Sequence, residues 1–215
     1  MTFSIFFDLD GTLIDTAPDL AASANRTFTS LGYETLPEER LRHHVSSGAR
    51  ALLAQRIPFS ELEQARSIML EDYLLRLDER SSFFESLSQL LQRLDKQGIC
   101  WGILTNKPRY LSEPLLTKLA TWWDQSSLFC APDFSEIKPS PVALNAITHQ
   151  YAIDPNSAYY VGDHRKDIQT AQSAGWNSIA VDYGYHEPND PPSQWEATLR
   201  FQTSSNLSEW IYKQI

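Results

Sequence analysis

The stretch Phe3-Ser-Ile-Phe-Phe-Asp8-Leu-Asp10-Gly11-Thr-Leu-Ile-Asp15 decides how this chain folds. Phe3 to Phe7 is short, apolar and rich in aromatic residues. It stops at acidic residues followed by Gly11, which predicts a buried strand ended by a tight turn. Side chains two apart in a strand project to the same side, so Asp8 and Asp10 leave its carboxyl end together. Two like charges there repel each other unless something positive sits with them. A magnesium ion suits that role, being hard, oxygen-seeking and commonly held by one or two carboxylates. The plainer reading is an acidic turn that ends a strand. Two acids and a glycine alone favour it, but the full string from Asp8 to Asp15 is far more specific.

Further along the chain come four similar runs. Ile99 to Leu104 ends in Thr105-Asn106-Lys107-Pro108, and Ala158 to Val161 ends at Gly162. The others are Leu128 to Ala131 and Ser178 to Val181. Helical patterns separate most of them: Phe83 to Lys96 (with Phe84, Leu87, Leu90, Leu91 and Leu94 at helical spacing), Leu111 to Leu119, Val142 to Gln150, and Asp167 to Ala174. Strands alternating with helices predict an α/β fold, an open parallel sheet with helices on both faces. Residues 16–80 break the rhythm and contain no convincing strand. Pro18 suits the first turn of a helix that runs towards Leu31 and stops at Gly32. Another helical stretch begins at Pro37, Ser47-Gly48 marks a turn, and Ala49 to Ile57 resumes. Ser60 to Asp78 is the longest, with Ser60 as N-cap and Glu63 three residues later. The region reads as an all-helical insert after the first strand. A short strand near Leu199–Phe201 and a helix from Asn206 to Ile215 close the chain.

With 215 residues, 42% of them hydrophobic, the chain has material for one large domain or one domain with a smaller insert. Its net charge of -9 repels nucleic-acid backbones and anionic membranes, so neither is expected as a partner. A local pocket can still be positive and take an anionic substrate. Cys100 and Cys130 lie in apolar runs and read as buried, reduced thiols. A disulfide stays open, and no zinc-ligand spacing is present. The first residues lack the basic flank of a signal peptide, and no run is long enough to span a membrane, so a cytoplasmic protein is expected.

Three more clusters follow predicted strands. The Thr105 hydroxyl and the backbone N–H groups near Asn106 suit phosphate oxygens, or else a polar helix cap. Lys138, before Pro139, would neutralise phosphate and keep an aspartate ionised if it reaches the same mouth; most lysines are instead solvated. In Gly162-Asp163-His-Arg-Lys-Asp167, Asp163 is placed to complete a metal site. Asp167 either braces that site or Lys138, or caps the next helix. In open parallel sheets the ligand lies outside the carboxyl ends of the strands, where all four clusters converge.

These four clusters resemble the four signatures of the haloacid dehalogenase (HAD) superfamily. Asp8-Leu-Asp10-Gly-Thr is similar to the first, Leu104-Thr-Asn-Lys-Pro to the second, Lys138-Pro to the third, and Val161-Gly-Asp163 with Asp167 to the fourth. Order and spacing agree across essentially the whole chain. Asp15-Thr-Ala-Pro-Asp-Leu and Ser47-Gly-Ala-Arg-Ala-Leu look like the phosphoglycolate phosphatase group. Tyr183-Gly-Tyr185, Trp195 and Ser46-Ser47-Gly48-Ala49-Arg50 look more like its bacterial branch acting on N-acetylmuramic acid 6-phosphate. The resemblance implies a Rossmann-like core over residues 1–15 and 81–215 and a helical cap over residues 16–80. It implies a phosphomonoester hydrolase in which Asp8 attacks phosphorus and Asp10 acts as acid and base. Mg²⁺ would be bound by Asp8, by Asp163 and by the backbone carbonyl of Asp10, with Asp167 behind. Thr105, Asn106 and Lys138 would hold the phosphate.

In the insert, Arg50 is the leading candidate for a substrate carboxylate, with His43 and His44 behind it; each also reads as an ordinary surface residue. A phosphomutase shares the core motifs, and a non-catalytic binding module would normally have lost one of them. Asp10 argues against a dehalogenase, and the absence of lysine from residues 16–80 argues against Schiff-base phosphonate chemistry. The resemblance implies a small phosphate monoester as substrate, 2-phosphoglycolate or N-acetylmuramic acid 6-phosphate, and the oligomeric state stays open.

Overall fold

In the computed structural model, which describes residues 3–123 and 127–215, β1 (Ser4–Phe7) is buried along its whole length. Its side chains alternate between faces: Ile5 and Phe7 join one apolar cluster and Phe6 the other. A strand covered on both faces has to be apolar throughout, which explains the unbroken run. The chain continues through β2 (Ile14–Asp15), four helices, and β3 (Ser82–Phe83), which pairs antiparallel with β2. Then come α5 (Leu87–Lys96), β4 (Cys100–Thr105), α6 (Arg109–Leu119), β5 (Leu128–Cys130), α7 (Val142–Tyr151), β6 (Ala158–Gly162) and α8 (Arg165–Ser173). β7 (Asn177–Val181), β8 (Leu199–Phe201) and α9 (Ser204–Tyr212) finish it.

The main sheet has the order β5-β4-β1-β6-β7-β8, with every neighbouring pair parallel. Leucines of α5 and α6 and Leu207 and Ile211 of α9 cover one face; Leu144 and Ile147 of α7 and Trp176 cover the other. β1 lies between β4 and β6, so connections leave it in opposite directions and a crevice opens at its carboxyl end. Asp8, Thr105 and Asp163 all stand at that end of the sheet.

The four helices between β2 and β3 are α1 (Ala17–Ser30), α2 (Glu38–Arg42), α3 (Ala49–Leu53) and α4 (Leu62–Leu74). Pro18 sits in the first turn of α1, and Gly32 follows it with φ +82°, a value that suits glycine. Phe28, Leu41, Leu53, Met69 and Tyr73 are buried among these helices. The two crossings between these helices and the sheet are tied to each other. Buried Asp19 accepts from the backbone N–H of Arg80 (3.1 Å) and Ser81 (2.8 Å) and from the Ser81 hydroxyl (2.6 Å).

Two expected helix starts move. Helical spacing predicts a helix from Phe83, yet α5 begins at Leu87, because the backbone there is spent on strand pairing. Phe83 pairs with Ile14, the Phe84 N–H donates to the Leu13 carbonyl (3.0 Å), and Ser86 turns the chain with φ +67°. The Phe84 side chain instead packs on Tyr183, ring centroids 4.8 Å apart. In α4 the expected Ser60–Glu63 cap does not form. Residues Phe59–Glu61 make a 3-10 turn, Ser60 is exposed, and Glu63 pairs with Arg50. Cys130 is buried and Cys100 half-buried, both as free thiols. Among the described residues no helix is long and apolar enough to cross a membrane.

Candidate active site

β1 delivers Asp8 to the crevice, and the Asp8 N–H donates to the Val161 carbonyl (2.8 Å), which carries the strand pairing one residue further. Directly after it, the N–H groups of Leu13 and Ile14 donate to Leu9, which winds residues 9–14 into a tight turn. Gly11 holds φ +82° inside that turn. A Cβ on Gly11 would lie 2.1 Å from Asp163 Oδ2, so glycine is required for space as well as for conformation. The turn points Asp10 away from Asp8's partners. Asp10 Oδ1 accepts from the Thr16 hydroxyl (2.7 Å) and from Lys107 Nζ (2.9 Å).

Lys138 is the centre of charge. Its Nζ lies 2.8 Å from Asp8 Oδ1 and 2.7 Å from Asp167 Oδ1, and it donates to the Tyr160 hydroxyl (2.9 Å). Burial alone would lower this ammonium. Asp167 and Asp8 outweigh it and hold Lys138 well above the usual lysine range. Its backbone is clamped by Asn106, whose Oδ1 accepts from the Lys138 N–H (3.0 Å) and whose Nδ2 donates to the Lys138 carbonyl (3.2 Å). Asn106 therefore lines the crevice while its side-chain amide serves Lys138. The Thr105 hydroxyl accepts from the Lys107 N–H (3.1 Å), which leaves its own proton to give.

β6 ends at Gly162 and presents Asp163, which is fully buried. Asp163 Oδ2 accepts from the Ser46 hydroxyl (2.8 Å) and from the Tyr185 N–H (2.8 Å). Burial, and then the charges of Asp8 and Asp167, push Asp163 up to about 7. Burial likewise raises Asp8, with Lys138 opposing. Asp167 fills both roles that its position suggests. Oδ1 holds Lys138, while Oδ2 accepts from the His164 N–H (3.1 Å) as half of a reciprocal cap on α8. His164 Nδ1 completes that cap by accepting from the Lys166 N–H (3.2 Å); burial, Lys166 and Lys138 take His164 down to about 4.

Carboxylate oxygens of Asp8, Asp163 and Asp167 come within 4.8 Å of one another. An all-oxygen, buried, mutually repelling set is suited to a hard divalent cation.

The crevice opens into a cavity of about 500 Å³ roofed by the insert. Asp8, Asp10, Thr105, Asn106 and Lys138 line it from the sheet side, and Ser46, Arg50, Arg66 and Tyr73 from the helices. Several contacts around it were not assigned from the sequence. Lys107 is buried against Asp10 and donates to the Tyr73 hydroxyl (2.9 Å), a contact linking α4 to Asp10. Burial pushes Tyr73 up to about 12. Lys107 adjoins the Thr105-Asn106 pair, which is the one local hint of its role. Lys166 hydrogen-bonds the Ser46 carbonyl and so ties the insert to α8. Tyr185 donates to Asp15 (2.6 Å), and Arg42 pairs with the same carboxylate (2.8 Å).

The expectations for the insert change in detail. Arg50 does line the cavity, but its side chain is 65% exposed and its guanidinium is paired with Glu63 (2.5 Å). His43 and His44 do not line it. His43 Nδ1 lies 3.0 Å from the His186 carbonyl, and His44 faces Glu187 at 3.9 Å. Trp195 is buried, its indole N–H given to Asp190 (2.9 Å), away from the cavity.

A parallel sheet with an aspartate at the end of its central strand, a shared lysine and a second acidic pair defines a hydrolase class. The chain belongs to the haloacid dehalogenase-like hydrolase family, whose model matches residues 5–181. Within that family its curated relatives are named phosphatases, and the chain is one of them in kind. It is 35% identical over 200 residues to an N-acetylmuramic acid 6-phosphate phosphatase of Pseudomonas aeruginosa, covering 91% of this chain and 88% of the relative. It is 34% identical over 212 residues to a phosphoglycolate phosphatase of Xanthomonas campestris pv. campestris, covering 96% and 95%. A solved structure, described as a predicted phosphoglycolate phosphatase from Haemophilus somnus 129pt, superposes with a TM-score of 0.85 at 26% identity over 98% of both chains.

Proposed function

We propose that this protein is a magnesium-dependent phosphomonoester hydrolase that works through an aspartyl-phosphate on Asp8. The observation that carries the reading is Lys138 Nζ held between Asp8 (2.8 Å) and Asp167 (2.7 Å) at the floor of the cavity that Asp10 also lines. Asp8 is the nucleophile, attacking phosphorus in line with the leaving oxygen. Asp10 gives a proton to the departing alcohol and then takes one from the water that hydrolyses the phospho-enzyme. Lys138 and the Thr105 hydroxyl hold the equatorial oxygens, where charge collects in the transition state. Asn106 acts by positioning Lys138. Mg²⁺ would be held by the carboxylates of Asp8 and Asp163 and the backbone carbonyl of Asp10, and supplies charge that offsets repulsion between carboxylate and phosphate. Asp167 stands behind this set as the partner of Lys138.

Residues 16–80 form a cap over a core made of residues 1–15 and 81–215. Its closure excludes bulk water from the reaction. The Tyr73 hydroxyl on Lys107 and the Ser46 hydroxyl on Asp163 support a closed arrangement. Two substrates fit the family: 2-phosphoglycolate and N-acetylmuramic acid 6-phosphate. A cavity of about 500 Å³ walled partly by Leu20, Val45, Leu52 and Leu70 favours the larger one, since a two-carbon acid leaves most of that apolar wall uncovered.

The test is phosphate release from a panel of both compounds and common sugar phosphates, with and without Mg²⁺. Metal-dependent turnover of one member supports the reading, and absence of release from all of them refutes it. Persistence of the phospho-enzyme together with dependence on a bisphosphate would instead mark a mutase.

A further inference from the structure

One wall of the cavity carries a cation that the reaction centre does not use. Arg66, Leu70 and Tyr73 all line the cavity. They stand at i, i+4 and i+7 and so share one face of α4. At the end of that face Tyr73 touches Lys107, and Lys107 touches Asp10. With a helical rise of about 1.5 Å per residue, Arg66 springs from α4 about 10 Å further along the axis.

The basic side chains around the cavity are otherwise engaged. Lys138 is held by Asp8 and Asp167, Lys107 by Asp10, and Arg50 by Glu63. Lys166 donates to the Ser46 carbonyl. Half-buried Arg66 has no hydrogen-bond or ion-pair partner among the described residues. A guanidinium that has lost part of its hydration without gaining an acceptor is costly. That cost is offset when a ligand brings a carboxylate to its planar fork. Between Arg66 and Tyr73 the helix presents apolar Leu70, and Leu52 also lines the cavity. A substrate that reaches Arg66 therefore needs a body to cover that wall.

We propose that Arg66, about two helical turns along α4 from Tyr73, is the specificity-determining residue, receiving a carboxylate on the far side of a sugar-sized phosphate ester. This rests on the assignment of the Asp8 site as a phosphatase centre. In 2-phosphoglycolate the carboxylate carbon stands only about 4 Å from phosphorus, three bonds away. A hexosamine 6-phosphate with an acidic ether arm across its ring is long enough to engage both ends.

The experiment is steady-state kinetics of the full chain with Mg²⁺ on three esters and p-nitrophenyl phosphate as a reporter of the chemistry. The esters are N-acetylmuramic acid 6-phosphate, N-acetylglucosamine 6-phosphate (the same sugar ester without the carboxylate) and 2-phosphoglycolate. The wild type should prefer the muramic ester over the glucosamine ester by at least about tenfold in kcat/KM, as expected of a charged hydrogen bond. In Arg66→Met that ratio should fall towards one, mainly through KM for the muramic ester, because the contact is equal in ground and transition states. Arg66→Lys should recover part of it. Survival of the ratio in Arg66→Met overturns the proposal. So does an equal loss on both sugars, or a wild-type preference for 2-phosphoglycolate. Hydrolysis of p-nitrophenyl phosphate in any of these cases leaves the phosphatase centre standing. Its absence from the wild type, together with no release from the three esters, would remove both.

Discussion

Replacing Lys138 by methionine removes the one cation that two buried carboxylates share. The Lys138 and Asp167 side chains are 0% exposed and that of Asp8 is 7% exposed, so water cannot take over. Taking one partner from a buried ion pair costs about 3–5 kcal/mol, because the charge left behind is uncompensated. For a domain of this size that is a fall of roughly 6–20 °C in melting temperature. The measurement is urea unfolding of wild type and Lys138→Met at pH 7.5 with EDTA present, so that no metal substitutes for the ammonium. Asp8 already titrates above its ordinary value through burial, and losing Lys138 removes the main influence opposing that. A carboxyl raised in the folded state binds its proton first in the native protein. The deficit should therefore be full above the raised folded value and shrink as pH falls towards about 4, the unfolded value of aspartate. Adding Asp167→Asn deletes one orphaned charge and should restore at least about 1 kcal/mol. A loss below about 1 kcal/mol, typical of exposed pairs, would refute the reasoning, as would a deficit indifferent to pH.

Four other outcomes are expected. Asp8→Asn should lower phosphate release by roughly 10⁴-fold or more while circular dichroism stays native, and Asp10→Ala should lose turnover yet keep magnesium binding measurable by calorimetry. Wild-type rates in either variant, free of contaminating phosphatase, would contradict the roles. Gly184→Ala places a Cβ 2.2 Å from Asp163 Cβ and 2.6 Å from the Gly11 carbonyl, and should cost about 1–3 kcal/mol in a denaturant melt. An unshifted midpoint there would show that the Asp163 pocket has slack. Burial pushes the Cys130 thiol up to about 11 and raises Cys100, so iodoacetamide at pH 8 should modify the folded protein far more slowly than the unfolded chain. Equal rates by intact mass would argue against that environment.

The strands were legible because a sheet buried on both faces leaves short apolar runs closed by turn residues. Phe3–Phe7 and Ala158–Val161, the latter closed by Gly162, need no knowledge of their neighbours to be read so. Asp8, Thr105, Lys138 and Asp163 were legible for a related reason. In a parallel sheet, the residues that follow strands must emerge at one edge, so position in the sequence translates into position in space. Helix starts were less secure. Phe84 has helical spacing, but its N–H is claimed by Leu13, some seventy positions earlier in the chain.

What the sequence determined by itself was therefore the frame and the convergence of its polar clusters: period-two and period-3.6 patterns, and motifs delivered by strand ends. Only the tertiary structure decided which charge answers which. Lys107 meets Asp10 97 positions away because β4 pairs beside β1, and Ser46 meets Asp163 117 positions away through folding of the insert over the sheet. Folding of the insert gave Arg50 to Glu63 and left Arg66 lining the cavity with no partner among the described residues. A guanidinium reads alike in both places along the chain. Its partner is set by long-range packing, and local pattern carries no record of that.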